Sequence, residues 1–219
     1  YIDSLDRNLI QHPSLLDSHE CDLCIIGGGF TGLSTAIEAS KKGLKVILLE
    51  QNKVAWGASG RNGGQIGIDI SNGVQNLESK YGFETVKSLW NVSLDAVKLI
   101  DQRIDEFKIQ CDKKIGNLSV ATNHSTVKDF ESEIDYYQKK LDYHSTKILT
   151  RDEVSEAVGS NRYFGGHLQE EGGHLHPLKY ALGLADAALS LNVDIYEDSK
   201  VIKINEEKNY VEVLTLNGS

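Results

Sequence analysis

Four groups of residues have types and spacings that could do chemistry. The most informative runs from Gly27 to Glu50. Gly27-x-Gly29-x-x-Gly32 follows the apolar run Cys21–Ile26 and opens a helical pattern at Phe30. This is the setting in which such glycines bind a dinucleotide. Gly27 allows a tight turn, Gly29 lets a pyrophosphate approach the backbone, and Gly32 permits close helix–strand contact. The helix start adds free N–H groups and a positive dipole end for the phosphates. Glu50 stands 23 positions after Gly27, near the spacing of about 20 expected of an acid that binds a ribose hydroxyl. Its charge would repel a 2′-phosphate, which disfavours NADP. The glycines and the acid do not separate NAD from FAD.

The second group is Ala58-Ser59-Gly60-Arg61-Asn62-Gly63-Gly64-Gln65. A site for a nucleotide alone would need only a short turn here before the next helix. This stretch instead offers small residues, a run of backbone donors and three polar side chains. Such a loop could lie along a flat ring and hydrogen-bond its heteroatoms.

The other two groups are weaker. His174 and His176 share a face if they lie on a strand, with Glu170 and Glu171 nearby. No third ligand has motif spacing, so no metal site is expected. Hydrogen-bonding roles that shape the turn before Pro177 are expected instead. Cys21 and Cys24 form a C-x-x-C, but residues three apart on a strand point to opposite faces. There is also no second cysteine pair, so buried, inert thiols are expected. His12, His19, His124, His144 and His167 have no partner visible in the sequence, and Lys139-Lys140 and Glu206-Glu207 read as solvated faces.

The elements that must position these groups follow from periodicity. Residues 21–26 read as a strand too apolar to be half exposed, hence central and parallel. Phe30, Leu33 and Ile37 make the buried stripe of the following helix. That helix ends at Lys41-Lys42 and Gly43. Lys45–Glu50 is a second buried strand, and residues 51–73 form a long loop. Helices are expected over Asn76–Tyr81, Glu84–Gln110 and Thr126–Leu141. Thr150-x-x-Glu153 opens a short helix to Val158 with a capping box. Pro177 begins a helix to about Leu191. Strands are expected at 117–122, 147–149, 163–170, 194–196, 201–204 and 211–216. Residues 1–19 read as a polar arm.

Bulk properties set limits. The chain has 219 residues, 40% hydrophobic and 25% charged, enough for one large domain or two small ones. A net charge of −9 argues against binding nucleic acid or anionic membranes. Apolar runs are strand-sized, so no membrane span is expected. No leader pattern is visible, and three cysteines make no disulfide framework, so a reducing, cytoplasmic setting is expected. The chain has no Met, and a strand at 211–216 runs into Asn217-Gly218, a hairpin signal without a returning strand. An unpaired edge there suggests the N-terminal part of something longer.

Two segments carry a specific resemblance: Cys24-Ile25-Ile26-Gly27-Gly28-Gly29-Phe30-Thr31-Gly32-Leu33-Ser34 and Gly57–Gln65. Together they are similar to the D-amino-acid-oxidase-like family of FAD-dependent amine oxidoreductases. Within it the chain most resembles the gamma-glutamylputrescine oxidoreductase branch. Ile109-Gln110-Cys111-Asp112, Glu171-Gly172-Gly173-His174-Leu175-His176-Pro177-Leu178 and Gly183 match as well. The resemblance covers nearly all of residues 20–219 and departs at the C-terminus, where the family continues.

It implies an α/β fold: a Rossmann-like FAD-binding domain with the start of an α+β substrate domain, the C-terminal half of the fold being absent. The implied boundaries are an arm at 1–19, FAD-binding segments at 20–115 and 173–219, and substrate-domain residues at 116–172. Gly27, Gly29, Phe30, Thr31 and Gly32 would surround the pyrophosphate of FAD. Glu50 and Gln51 would take the adenosine ribose. Ala58, Ser59, Asn62, Gly63, Gly64 and Gln65 would line the flavin, and Val201, on a Ser199–Val201 strand, would meet the adenine. Arg61 is a weak catalytic candidate as an electrostatic partner of flavin or substrate.

The implied reaction removes a hydride equivalent from the carbon beside an amine of a small-molecule amine or amino acid, with dioxygen as acceptor. Hydrolysis of the resulting imine follows. Three alternatives stay open: an NAD-dependent dehydrogenase, an FAD dehydrogenase passing electrons to a quinone or protein, and a truncated, non-catalytic nucleotide-binding fragment.

Overall fold

A computed structural model describes residues 1–5, 10–68, 70 and 73–219. In chain order the elements are β1 (Leu23–Ile26), α1 (Phe30–Lys41), β2 (Val46–Leu49), β3 (Gln65–Ile66), α2 (Val74–Tyr81), α3 (Phe83–Phe107), β4 (Lys114–Ala121), α4 (His124–Lys140), β5 (Thr146–Leu149), α5 (Arg151–Val158), β6 (Gly165–His174), α6 (Pro177–Ser190), β7 (Asp194–Tyr196), β8 (Lys203–Glu206) and β9 (Val211–Leu214). One-turn 3-10 helices occupy Ile2–Ser4 and Ala58–Gly60. The long loop expected over 51–73 therefore contains a turn and a short strand. Residues 69, 71 and 72 of that loop, and residues 6–9 of the expected arm, lie outside the described residues.

The chain divides into two compact units. The first comprises residues 1–63, 103–112 and 176–219, the second residues 64–102 and 113–175. The stretch 74–102, expected in the cofactor domain, falls in the second unit.

The first unit is a parallel β-α-β structure. Its sheet has the order β1-β2-β7, with Leu23 opposite Val46 and Leu48 opposite Ile195. β2 is buried along its whole length because it is paired on both edges and covered on both faces. β1, expected to be central, is instead the edge strand among the described residues, and Ile26 at its end is 53% exposed. An apolar run reports burial potential, not the number of neighbours a strand finds. α1 buries Leu33, Ala36, Ile37 and Ala39; the expected stripe holds at Leu33 and Ile37, while Phe30 remains half-buried. Phe30 leans on Tyr180 of α6, ring centroids 5.6 Å apart. Gly183 lets α6 approach Ile109, since a Cβ there would collide with the Ile109 side chain.

Two terminal readings change. The arm is fastened: Leu15 is 3% exposed, in a cluster with Ile47 and Leu49. The strand expected to lack a partner finds one earlier in the chain, because β9 pairs antiparallel with β8, Ile204 opposite Val213. Asn217-Gly218 form a turn closed by the Thr215 N–H donating to the Gly218 carbonyl at 2.9 Å.

The second unit is an antiparallel sheet with helices. β6 pairs with β3, β4 and β5. Its end is Gly172-Gly173, both at positive φ, where added Cβ atoms would strike the Ile66 and Lys114 carbonyls. Glycine there lets both neighbouring backbones close on β6. α3 buries Val86, Trp90 and Val97, whereas Leu89 is 43% exposed. Trp90 packs on Tyr137 of α4 at 4.7 Å between centroids. The capping box at the start of α5 forms as expected, with Thr150 accepting from the Glu153 N–H and Glu153 accepting from the Thr150 N–H. Among the described residues no helix is long and apolar enough to cross a membrane.

Candidate functional site: a glycine turn and its acidic clamp

The turn between β1 and α1 is built as its glycines predict. Gly27 has φ +107° and donates its N–H to the Leu49 carbonyl at 2.8 Å. Gly29 is the N-cap of α1 and brings no side-chain cap. At Gly32 a Cβ would run into the Gly27 carbonyl, so any larger residue would push the helix off the strand. Gly28, a variable position of the spacing pattern, is also constrained. Its Cβ would lie 3.2 Å from the Glu50 Cβ, and its N–H donates to Glu50 Oε2 at 2.8 Å. Sequence spacing could not find this, because the contact depends on where β2 ends relative to the turn.

Glu50, expected to take a ribose hydroxyl, is itself bonded within the chain. Its other oxygen, Oε1, accepts the Asn52 N–H at 2.8 Å. The carboxylate holds the glycine turn and the stretch after β2 together. Such charge-assisted bonds are stronger than neutral ones.

Beside Glu50 a cavity of about 220 Å³ opens at the carboxyl ends of β1 and β2, lined among others by Gly27, Glu50, Gln51, Ser199, Lys200 and Val201. Ligands of open parallel α/β sheets sit at such ends. Whole-ligand pockets run to about 300–1,000 Å³, so this space suits the nucleoside part of a dinucleotide. Val201 reaches the cavity without the strand expected at 199–201. That segment is irregular, and β8 begins at Lys203. The Ser199 N–H bonds the Glu50 carbonyl at 2.9 Å, which brings the segment to the cavity.

The loop 58–63 folds against the start of α1. The Phe30 N–H donates to Ser59 Oγ at 3.0 Å, and a Cβ on Gly29 would approach that oxygen to 2.9 Å. Ser59 therefore stands where the helix N-terminus points, with a hydroxyl proton to offer an anion. Thr31 is exposed on the same first turn. Ala58 starts the 3-10 turn, and the Asn62 amide donates to the Ala58 and Ser59 carbonyls, both at 3.0 Å. The Asn62 side chain, expected to meet a ring, holds its own loop. Arg61 is exposed, donates to the Gly57 carbonyl at 3.3 Å and stacks on Trp56 at 4.4 Å from the ring centroid. Gly63 has open space around it. Gly64 and Gln65 belong to the second unit, where the Gly64 carbonyl accepts the Leu175 N–H at 2.9 Å and Gln65 pairs with His174 in the sheet.

His176 takes the structural role expected. Its Nδ1 accepts the Lys179 N–H at 3.2 Å as the N-cap of α6, with Pro177 following. The ring proton then sits on Nε2 and donates to Ser4 Oγ at 2.9 Å. The cysteine geometry differs from expectation. Cys21 precedes β1, so the alternation of a strand does not apply to the pair. Cys21 and Cys24 pack on the same cluster of Leu15, Ile47 and Leu49, and both are half-buried. Burial pushes the Cys24 thiol up to about 11.

Comparison with known proteins places the chain in a family. A family model described as FAD dependent oxidoreductase, the DAO family, matches residues 22–219. The chain is 39% identical over 215 residues to a probable oxidoreductase, OrdL, of Haemophilus influenzae, covering 98% of this chain and 50% of that protein. It is 35% identical over 191 residues to the gamma-glutamylputrescine oxidoreductase of Escherichia coli, covering 87% and 45%. The expected branch is therefore not the more similar of the two. Among solved structures, an L-amino acid deaminase from Proteus myxofaciens aligns with a TM-score of 0.79 at 20% identity, over 97% of this chain and 46% of that one. Glycine oxidase from Bacillus cereus aligns at 0.70 and 24%, over 91% and 52%. These two establish the likeness of fold. The chain spans about half the length of the curated relatives it matches. The glycine turn, its acidic clamp and the extent of the family match lead to one conclusion: this chain belongs to the DAO family of FAD dependent oxidoreductases.

Proposed function

We propose that this chain holds FAD for the oxidation of a C–N bond in an amine or amino acid, with a gamma-glutamylputrescine-like amine as substrate and dioxygen as acceptor. The observation that carries the cofactor part is the cavity between Gly27, Glu50, Gln51 and Val201, adjoining a turn that tolerates no Cβ at Gly32. In this reading Glu50 and Gln51 take the ribose and Val201 borders the adenine. Gly27, Gly29, Phe30, Thr31 and Gly32 surround the pyrophosphate. Ala58, Ser59, Asn62, Gly63, Gly64 and Gln65 line the flavin. The bound group would supply the two-electron acceptor, while the chain binds and orients it. The substrate class is supported by the identity to the Escherichia coli enzyme.

The test uses the intact protein. Denaturation should release one FAD per chain, read by absorbance. Gamma-glutamylputrescine should then give peroxide at a higher kcat/KM than putrescine, sarcosine, glycine or D-amino acids. Turnover of amino acids alone would refute the substrate assignment. Anaerobic reduction that a quinone reverses and oxygen does not would refute dioxygen as acceptor. Absence of flavin would refute the whole reading.

A further inference from the structure

The N-terminal segment touches the cofactor-side elements of the first unit at both ends of the candidate site. Tyr1 donates its hydroxyl to the Asn62 carbonyl at 2.7 Å. Ser4 Oγ accepts a hydrogen bond from the His176 Nε2–H at 2.9 Å, and the Tyr1 and His176 rings meet edge-on at 5.1 Å. One contact therefore fixes the loop that carries Ser59 and Asn62, and the other fixes the N-cap of α6.

Further along, the segment is tied to the other end. Glu197, 3% exposed, accepts the Val54 N–H at 2.7 Å through Oε1 and the His12 N–H at 3.4 Å through Oε2. The Glu197 N–H bonds the Pro13 carbonyl at 3.0 Å, and the Leu15 N–H bonds Ser199 Oγ at 2.9 Å. Ser199 lines the 220 Å³ cavity. Between the two attachments, Tyr1 and Ile2 face Trp56, Arg61, Leu178 and Leu182 across a second cavity of about 670 Å³.

The described residues of this segment spend hydrogen bonds on the 58–63 loop and on His176, the N-cap of α6. Loops position a ligand only as well as their own contacts fix them. We propose that the segment is a strap in which Tyr1 and Ser4 are positioning residues for FAD: they pre-set the 58–63 loop and the start of α6, so that cofactor binding need not order them. The inference rests on the cofactor reading above.

The experiment measures FAD affinity of the intact apoprotein by quenching of flavin fluorescence, together with its melting temperature. The double variant Tyr1→Phe, Ser4→Ala removes one hydroxyl from each contact. It should raise the FAD dissociation constant about tenfold while the apoprotein melts within about 2 °C of wild type. Ser4→Thr, which keeps the hydroxyl, should restore most of the affinity of Ser4→Ala. A dissociation constant within about twofold of wild type would overturn the strap alone, with the cofactor reading intact. Affinity and apoprotein melting temperature falling together, without rescue by Thr, would mark plain scaffolding and overturn it too. Wild-type protein that binds no FAD would remove both.

Discussion

The Gly28 N–H and the Glu50 carboxylate are joined at 2.8 Å, across 22 positions of sequence. The bond makes the acid of the second strand a structural part of the turn after the first. Glu50→Gln tests it. An amide offers one acceptor where the carboxylate serves two N–H groups, at Gly28 and Asn52. The variant should lose about 1–2 kcal/mol of stability in urea unfolding and bind FAD more weakly. An unchanged unfolding midpoint would show that the clamp carries no energy.

Glycines in this region are not equivalent. Gly32→Ala places a Cβ on the Gly27 carbonyl, and should cost about 1–3 kcal/mol and reduce flavin retention. Gly57→Ala, at φ −74° with open space around the site, should stay within about 0.5 kcal/mol of wild type. Thermal unfolding of the two variants side by side checks both. Equal effects would refute the assignment of the close contact to Gly32.

In the second unit, Glu133 lies 3.6 Å from His167 Nδ1 and accepts the Tyr137 hydroxyl at 2.7 Å. The proximity of His167 comes first, against an opposing push from burial and with the Tyr137 hydroxyl assisting, in holding its carboxyl below the ordinary value of 4.5. A depressed carboxyl stabilises the fold above its unfolded value and loses that contribution as pH falls through the folded value. Wild type should therefore lose stability below about pH 4.5, and Glu133→Gln should flatten that part of the profile. Denaturant unfolding across the acid range reads the slope, and parallel profiles would refute it.

The Cys24 thiol, pushed up to about 11, is only about 0.1% thiolate at pH 8. Its alkylation there should run well below that of a free cysteine peptide and accelerate toward pH 10. Mass spectrometry of the labelled protein at both values separates it from Cys21. Rapid modification at pH 8 would contradict the burial of the sulfur.

The glycine spacing, Glu50 and the stripe Leu33–Ile37 were legible because they are local. A tight turn, a helix N-terminus and a 3.6-residue period are properties of neighbours in the chain. The same holds for the capping box at Thr150–Glu153 and Pro177 at the start of α6. The cysteine pair was misread because strand alternation was applied two residues too early, and the order of strands was misread because apolar content says nothing of pairing. The partner of β9 was sought after Asn217-Gly218 and lies before it.

The local order of turn, helix and acid, and with it the kind of ligand the chain can hold, is therefore written in the sequence. Tertiary structure alone decided that Glu50 grips Gly28, that Ser59 faces the first N–H of α1, that Asn62 spends its amide on its own loop and that Tyr1 fastens that loop from 61 positions away. Those contacts join groups far apart in the chain. Their partners are set by how strands and helices pack, a long-range balance that no local pattern of residues encodes.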